Sequence, residues 1–408
     1  MIIKLNQVEQ NKKSMNKCLQ KIIRFVNRYY WLSKTSLNRR DNKVIIFGAW
    51  FGNKYDDNPK YMFEYVCAFR RDLEAYWITP NVDVFNKIKK LGLPVLLSSS
   101  EKAKKIAKKA KYLVVSNNIV GGECGYELSK YLGGITMINT WHGVPLKKIM
   151  YDDNITKDKN RPFLSMISDT LDAIFIRNIY HICTSENFKN IYSSCFRAKP
   201  NMILDLGQAR NDYFYYSHEN PVKRQFGAKK IILYMPTHRR EGAVSLDIPN
   251  HIDLNSIEEL CEKTNSVFLI KKHFYHNNEL LDLKDFNNII DITSSTYETQ
   301  VLLDSCEVLV TDYSSCYIDH LLLDRPQVFF AYDLEEYQME DREMYFEYSE
   351  TIAGPICRDS NSLYFELNKC LHGIDQYHDK RVKLKNFFYG IDNQSLVSPK
   401  QIETIIKL

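Results

Sequence analysis

The chain has 408 residues, 44% of them hydrophobic, and a net charge of +5 from 55 Lys and Arg against 50 Asp and Glu. That length and apolar content predict two or three ordinary domains with large cores and argue against disorder. The small charge excess argues against a dedicated nucleic-acid binder, and ten cysteines without paired CxxC spacing or a preceding secretory leader predict reduced, mostly buried thiols in the cytoplasm and no zinc site.

The basic excess sits early. Between Met15 and Leu32, the apolar residues Met15, Leu19, Ile22, Ile23, Val26, Tyr29 and Tyr30 follow helical spacing, while Lys17, Lys21, Arg24 and Arg28 form a basic stripe. Residues 1–42 are therefore expected to form an amphipathic segment. A helix lying on an anionic membrane surface and a helix docked on its own domain both fit the pattern. Glu101 to Lys111 repeats it with Ala103, Ile106, Ala107 and Ala110 on one side, the usual composition of a solvated helix face. No apolar run approaches the roughly 20 residues that span a bilayer.

From Lys43, short apolar runs alternate with helical patterns. The runs are 43–48, 75–79, 94–97, 112–116, 135–140, 181–185 and 202–207, then 229–236, 267–273, 288–292, 307–312 and 327–332. Continuous apolar strands between helices predict parallel α/β sheets. The polar, tyrosine-rich stretch near Asp212 to Lys229 separates two series, giving expected domains at 43–215 and 216–408.

Ligands of open α/β sheets bind beyond the carboxyl ends of the strands, so the residues just after each run matter most. They are Trp141-His142-Gly143-Val144-Pro145, Gly207 to Asp212, Pro236-Thr237-His238-Arg239-Arg240, Lys271-Lys272-His273 and Asp312-Tyr313-Ser314-Ser315. His142 is a candidate base for an alcohol, with Gly143 permitting close approach and Pro145 suited to the first turn of a following Leu-Lys-Lys-Ile-Met helix. Asp312 to Ser315 can cap a helix beginning near Cys316, where hydroxyls and free N–H groups favour an anion. His273 is a candidate phosphate donor. No HExxH, GxSxG, Walker A or GxGxxG pattern occurs, which removes the usual support for zinc proteases, serine esterases, P-loop enzymes and dinucleotide oxidoreductases. No cofactor and no metal are expected.

The ordered segments NTWHGVPLKKI, GQARND, YMPTHRR, LIKKH and VLVTDYSSCYIDHLLLDRPQVFFAYDLEEY, followed by MYFEYSETIAGPI, resemble the CDP-glycerol glycerophosphotransferase family of teichoic acid primases and polymerases, from about Val44 to about Pro355. The resemblance implies a GT-B-like α/β fold, two Rossmann-like domains facing a central cleft, attached peripherally to the cytoplasmic face of the membrane. It implies His142 as base with His273 assisting, and Gly143, Val144, Pro145, Leu146, Arg210, Pro236, Thr237, Lys271, Lys272, Ser314, Ser315 and Asp319 as the donor-binding set. Asp319, one turn beyond Ser315, is expected to bind a donor hydroxyl or orient a serine.

The sequence departs from the family pattern at Val144 for a usual Thr, His238 for Trp, Lys271 for a frequent Arg, and Gln208-Ala209 before Arg210. These departures leave CDP-ribitol open as donor beside CDP-glycerol, and capsule beside wall teichoic acid. The missing long N-terminal region of the large polymerases suggests the shorter primase-like or capsule-associated form. The expected reaction transfers a polyol phosphate to a hydroxyl of a lipid-linked saccharide, releasing CMP. A GT-B glycosyltransferase using a nucleotide sugar and a membrane-bound scaffold without turnover are the alternatives.

Overall fold

Among the described residues, thirteen short strands, twelve of them at the apolar runs of the sequence, form two sheets. The computed structural model describes residues 2–117, 122–153, 163–176, 178–239, 246–273, 281–340 and 343–408, without the side chains of 2–18, 163–166, 169 and 338–340. Expectations resting on the side chains of Met15, Lys17 and Cys18, and on Arg240, lie outside the described residues.

The first sheet contains β1 (Asp41–Gly48), β2 (Glu74–Thr79), β3 (Val95–Leu97), β4 (Ala110–Val115), β5 (Thr136–Asn139), β6 (Asn178–Cys183) and β7 (Ile203–Asp205), in the order β3-β2-β1-β4-β5-β6-β7. The second contains β8 (Lys230–Met235), β9 (Ser266–Ile270), β10 (Ile289–Asp291), β11 (Val308–Thr311), β12 (Gln327–Phe330) and β13 (Ile356–Cys357), in the order β10-β9-β8-β11-β12-β13. The described pairings are parallel, with Ile46 opposite both Tyr76 and Leu113 in the first sheet, and Leu233 opposite both Leu269 and Leu309 in the second. Strand β13, only two residues long, has no legible sequence signal.

Strands buried on both faces explain the unbroken apolar runs: Val44 to Phe47, Leu113 to Val115, Ile231 to Tyr234 and Val308 to Val310 are all essentially inaccessible. In each sheet the strand order reverses at one place, between β1 and β4 and between β8 and β11. The loops leaving these strands are thereby the natural ligand positions.

The chain divides into two compact units. One comprises Met1–His142, Lys159–Ile182 and Ser398–Leu408, and the other Gly143–Asp158 and Cys183–Val397. The expected division at 215 to 216 falls between β7 and β8, whereas the compact units are interleaved in sequence. In the first unit, the C-terminal helix Ser398–Ile405 packs against helix Asp57–Phe69. Arg70 Nη1 reaches Glu403 at 2.6 Å, Tyr112 donates to the Ile406 carbonyl at 3.1 Å, and Ile402 and Ile405 are fully buried.

The N-terminal helix runs Ile2–Ser36. Leu19, Ile22, Ile23, Val26 and Tyr30 are exposed, whereas Tyr29 and Leu32 are buried. Arg28 does not belong to a free basic stripe. Its guanidinium donates to Asp172 at 2.8 Å and to Ser129 at 3.1 Å, and the Tyr29 hydroxyl meets Ser168 and Asp172. The helix is thus docked at its C-terminal end within its own unit, while Leu19, Ile22, Ile23 and Val26 before that end are exposed. Among the described residues no helix is long and apolar enough to cross a membrane. The nine described cysteines are free, and most are buried.

Candidate active site

In the first unit, His142 follows β5 on a backbone turn that the sequence around it enforces. Trp141 adopts a left-handed conformation, φ 53°, which for a bulky residue costs about 1–3 kcal/mol unless neighbours fix it. Asn139 Oδ1 accepts from the Trp141 N–H at 3.0 Å, and Asn58 Nδ2 donates to the Trp141 carbonyl at 2.9 Å. Asn139 is held in turn by His181, 3.0 Å away, whose burial depresses its pKa to about 3 and keeps it neutral. The His142 ring lies against Trp141, 4.2 Å between centroids, and against Trp50 at 5.4 Å. Its Nδ1 stands 3.2 Å from the Ser116 carbonyl at the end of β4. A carbonyl can only accept, so Nδ1 carries the proton and Nε2 of the neutral ring keeps its lone pair. That is the form a general base requires.

In the second unit, the residues after β8 and β11 are locked together. Asp312 is fully buried and accepts from the Thr237 N–H at 2.9 Å, the Thr237 hydroxyl at 2.6 Å and the Tyr313 N–H at 2.6 Å. Arg239 bridges Asp312, 3.0 Å from Nη2, and Asp333, 2.6 Å from Nε, and donates to the Thr237 carbonyl. The two loops thus share one charged clasp. It presents Ser314 and Ser315, both half-buried, at the start of helix Cys316–His320. Ser314 Oγ accepts from the Cys316 N–H at 3.4 Å, whereas Ser315, at the N-cap position itself, makes no side-chain capping bond. The helix lasts only five residues, so its dipole is short.

Gly143, Ser315 and Arg210 converge. A methyl group built on Gly143 would stand 3.1 Å from Ser315 Oγ and 3.7 Å from Arg210 Nη2. Arg210 is 8% exposed and paired with Asp319 at 2.7 Å. Asp319 also accepts from Asn211, Gln300 and Tyr389. Its carboxylate therefore organises the arginine from beneath, a different task from the expected contact with a donor hydroxyl or a serine. Val144, Pro145 and Leu146 are buried beside Gly143, and Pro236 precedes the clasp.

Other expected residues are placed differently from what their donors alone suggested. Lys271 Nζ donates to the carbonyls of Thr293 and Ser295 at 2.9 and 2.8 Å. Lys272 is buried in an ion pair with Asp291 at 3.3 Å. Thr237 directs both donors at Asp312. These three residues build the loops. His273 lies against His238 with centroids 4.5 Å apart and the rings tilted by 36°, so this unit holds an imidazole pair where the sequence presented two unrelated histidines. The helix expected over Leu146 to Met150 does not form. Lys147 pairs antiparallel with Met344, with Lys148 N–H donating to the Glu343 carbonyl and Tyr345 N–H to that of Leu146. Long-range pairing there outweighs a short local helical preference. Residues that sequence reasoning missed include Asn58, Asn139, Glu123 and Asp333. Their only sequence signal is polarity beside an apolar run or a turn.

Two Rossmann-like parallel sheets, each with its polar residues at the reversal of strand order, define a GT-B-like α/β protein. The chain belongs to the CDP-glycerol:poly(glycerophosphate) glycerophosphotransferase family, whose model matches residues 31–400. It is similar to the teichoic acid poly(glycerol phosphate) polymerase of Staphylococcus epidermidis, 28% identical over 87% of this chain and 50% of the relative, so it spans half that protein's length. It is 26% identical to a Staphylococcus aureus teichoic acid glycerol-phosphate transferase over 91% of this chain and 95% of the relative. A solved structure of the wall teichoic acid polymerase TagF matches with a TM-score of 0.74 at 25% identity, covering 98% of this chain and 97% of that one. A UDP-GlcNAc 2-epimerase from Neisseria meningitidis shares the fold alone, with a TM-score of 0.53 at 13% identity over 90% of this chain and 99% of that one.

Proposed function

We propose that this chain transfers glycerol phosphate from CDP-glycerol to a hydroxyl of a lipid-linked saccharide or growing polymer in teichoic acid or capsule synthesis. The acceptor oxygen attacks the phosphorus that carries glycerol, the pyrophosphate bridge breaks, and CMP leaves. His142 Nε2 takes the acceptor proton. Gly143, Ser314, Ser315 and Arg210 bind the pyrophosphate, with His273 stabilising the charge that gathers on it. Phosphoryl transfer is largely positioning and electrostatics, so a preorganised cation and hydroxyls are adequate catalysts without a covalent intermediate.

The observation that carries this reading is the convergence of Gly143, Ser315 and Arg210, supported by the family match over residues 31–400. A glycine that leaves room beside a hydroxyl and a buried guanidinium suits a doubly charged diphosphate, because each group offers donors and none repels an anion. The exposed Leu19, Ile22, Ile23 and Val26 beside Lys21 and Arg24 support peripheral attachment to an anionic surface on the cytoplasmic face of the membrane. The test is a donor screen. Purified protein is given labelled CDP-glycerol, CDP-ribitol and common nucleotide sugars with a lipid-linked saccharide, and CMP release is expected from CDP-glycerol. Release of nucleotide only from CDP-ribitol changes the polyol, release only from a nucleotide sugar replaces the reaction, and no release with any donor leaves a non-catalytic scaffold.

A further inference from the structure

Glu123 is completely buried in the first unit and has no role in the chemistry described above. Its two oxygens gather the loops on either side of His142. Oε1 accepts from Asn117 Nδ2 at 2.6 Å, and Oε2 accepts from the Phe51 N–H at 2.9 Å. The same Asn117 amide also reaches Ser116 Oγ at 3.4 Å, which ties the carboxylate to Ser116. Ser116 Oγ in turn accepts from the Trp50 N–H at 3.1 Å, and the Ser116 carbonyl faces His142 Nδ1.

The turn held in this way is strained. Trp50 and Phe51 are consecutive left-handed residues, φ 51° and 55°, a conformation that persists only where surrounding bonds over-determine it. The bonds doing so are the two N–H groups donated to Ser116 and Glu123. The same turn aims the Trp50 ring at His142. Gly48 permits the close packing required, since a methyl group there would stand 2.8 Å from Cys124 Sγ and 2.9 Å from the Glu123 carbonyl. Burial raises the Glu123 carboxyl to about 7, with the nearby Asp57 charge adding to it. A group retained at such cost, at the reversal between β1 and β4, calls for a purpose.

We infer that Glu123 is a positioning residue for His142: through Ser116 and the Trp50-Phe51 turn it fixes the orientation of the imidazole and its Nδ1–H tautomer. This deepens the proposed function, because it rests on His142 being the base. It acts on His142 through two protein links and touches no substrate.

The test is Glu123→Gln. A carboxamide keeps the shape but brings an N–H₂ group against the Asn117 or Phe51 donor, so the cage loosens. With CDP-glycerol as donor, kcat should fall roughly tenfold to a hundredfold with its KM unchanged. Long-range 15N NMR of the His142 ring in the protein without substrate should move from the Nδ1–H form toward a tautomer mixture. If Glu123→Gln does not fold, Ser116→Ala, which removes one link and keeps the carbonyl, must produce the same NMR change. A folded variant whose His142 stays in the Nδ1–H form overturns the assignment. The NMR measurement needs no turnover, so a parent protein that releases CMP from no donor refutes the proposed reaction and leaves this result separately readable.

Discussion

Replacing Arg239 with methionine isolates the energetics of the clasp in the second unit. The substitution keeps apolar volume but leaves Asp312, fully buried, and Asp333 without their shared cation. Breaking a buried ion pair from one side costs about 3–5 kcal/mol. Asp312 retains the Thr237 and Tyr313 donors and Asp333 the Tyr313 hydroxyl at 2.9 Å, so the lower end, about 3 kcal/mol, is expected. Arg239→Lys should recover only part of the loss, because a single ammonium cannot span both carboxylates. All four tryptophans precede Gly143, so their fluorescence reports on the first unit and is blind to this one. The appropriate measurement is amide hydrogen exchange of β8 and β11, where protection should fall by the stated amount while β1 and β4 stay as protected as in the parent. Asp333→Asn in the Arg239→Met background should restore part of it. A loss below about 1 kcal/mol would mean the clasp is solvated in solution and the burial argument fails.

His142→Ala should lower turnover roughly 10²- to 10⁴-fold with folding intact, read by CMP release and circular dichroism. Gly143→Ala should raise the KM for CDP-glycerol about tenfold, because the new methyl crowds Ser315 Oγ at 3.1 Å, and an unchanged KM would separate Gly143 from the donor. Glu123 is raised from 4.5 to about 7, so its stabilising contribution is complete below pH 4.5 and disappears as pH climbs through 7. Thermal scans should therefore show the parent losing about 3 kcal/mol relative to Glu123→Gln across that window. Changing Lys21 and Arg24 to Gln should release the protein from anionic liposomes in a sedimentation assay, each charge contributing about 1 kcal/mol near the surface. Arg28→Gln should instead loosen the helix from Asp172.

The strands were legible because parallel strands buried on both faces need continuous apolar runs, as in Val44 to Phe47 and Val308 to Val310. Periodicity alone could not reveal β13, too short to carry a pattern, or the course of Leu146 to Lys148, decided by pairing with Glu343 to Tyr345. At the candidate site, sequence order pointed to His142, Arg210 and the Ser314-Ser315 turn as strand-end donors. What it could not supply was the acceptors. Thr237, Lys271 and Lys272 look like ligand-binding groups until Asp312, the carbonyls of Thr293 and Ser295, and Asp291 are seen to occupy them. Glu123 was hidden for the opposite reason, since one carboxylate in a glycine-rich stretch reads as a solvated loop until the buried turn around it is known.

The placement of helix Ser398–Ile405 has a practical consequence for anyone dividing this chain. Its Glu403 and its buried Ile402 and Ile405 complete the surface of helix Asp57–Phe69, more than three hundred residues earlier in sequence. During synthesis the early half therefore emerges with an apolar flank that Ser398–Ile405 cover only later. A stop codon just before Ser398 would remove no residue assigned to the chemistry, yet its damage should appear first around Phe63 and Val66, in the unit that carries His142.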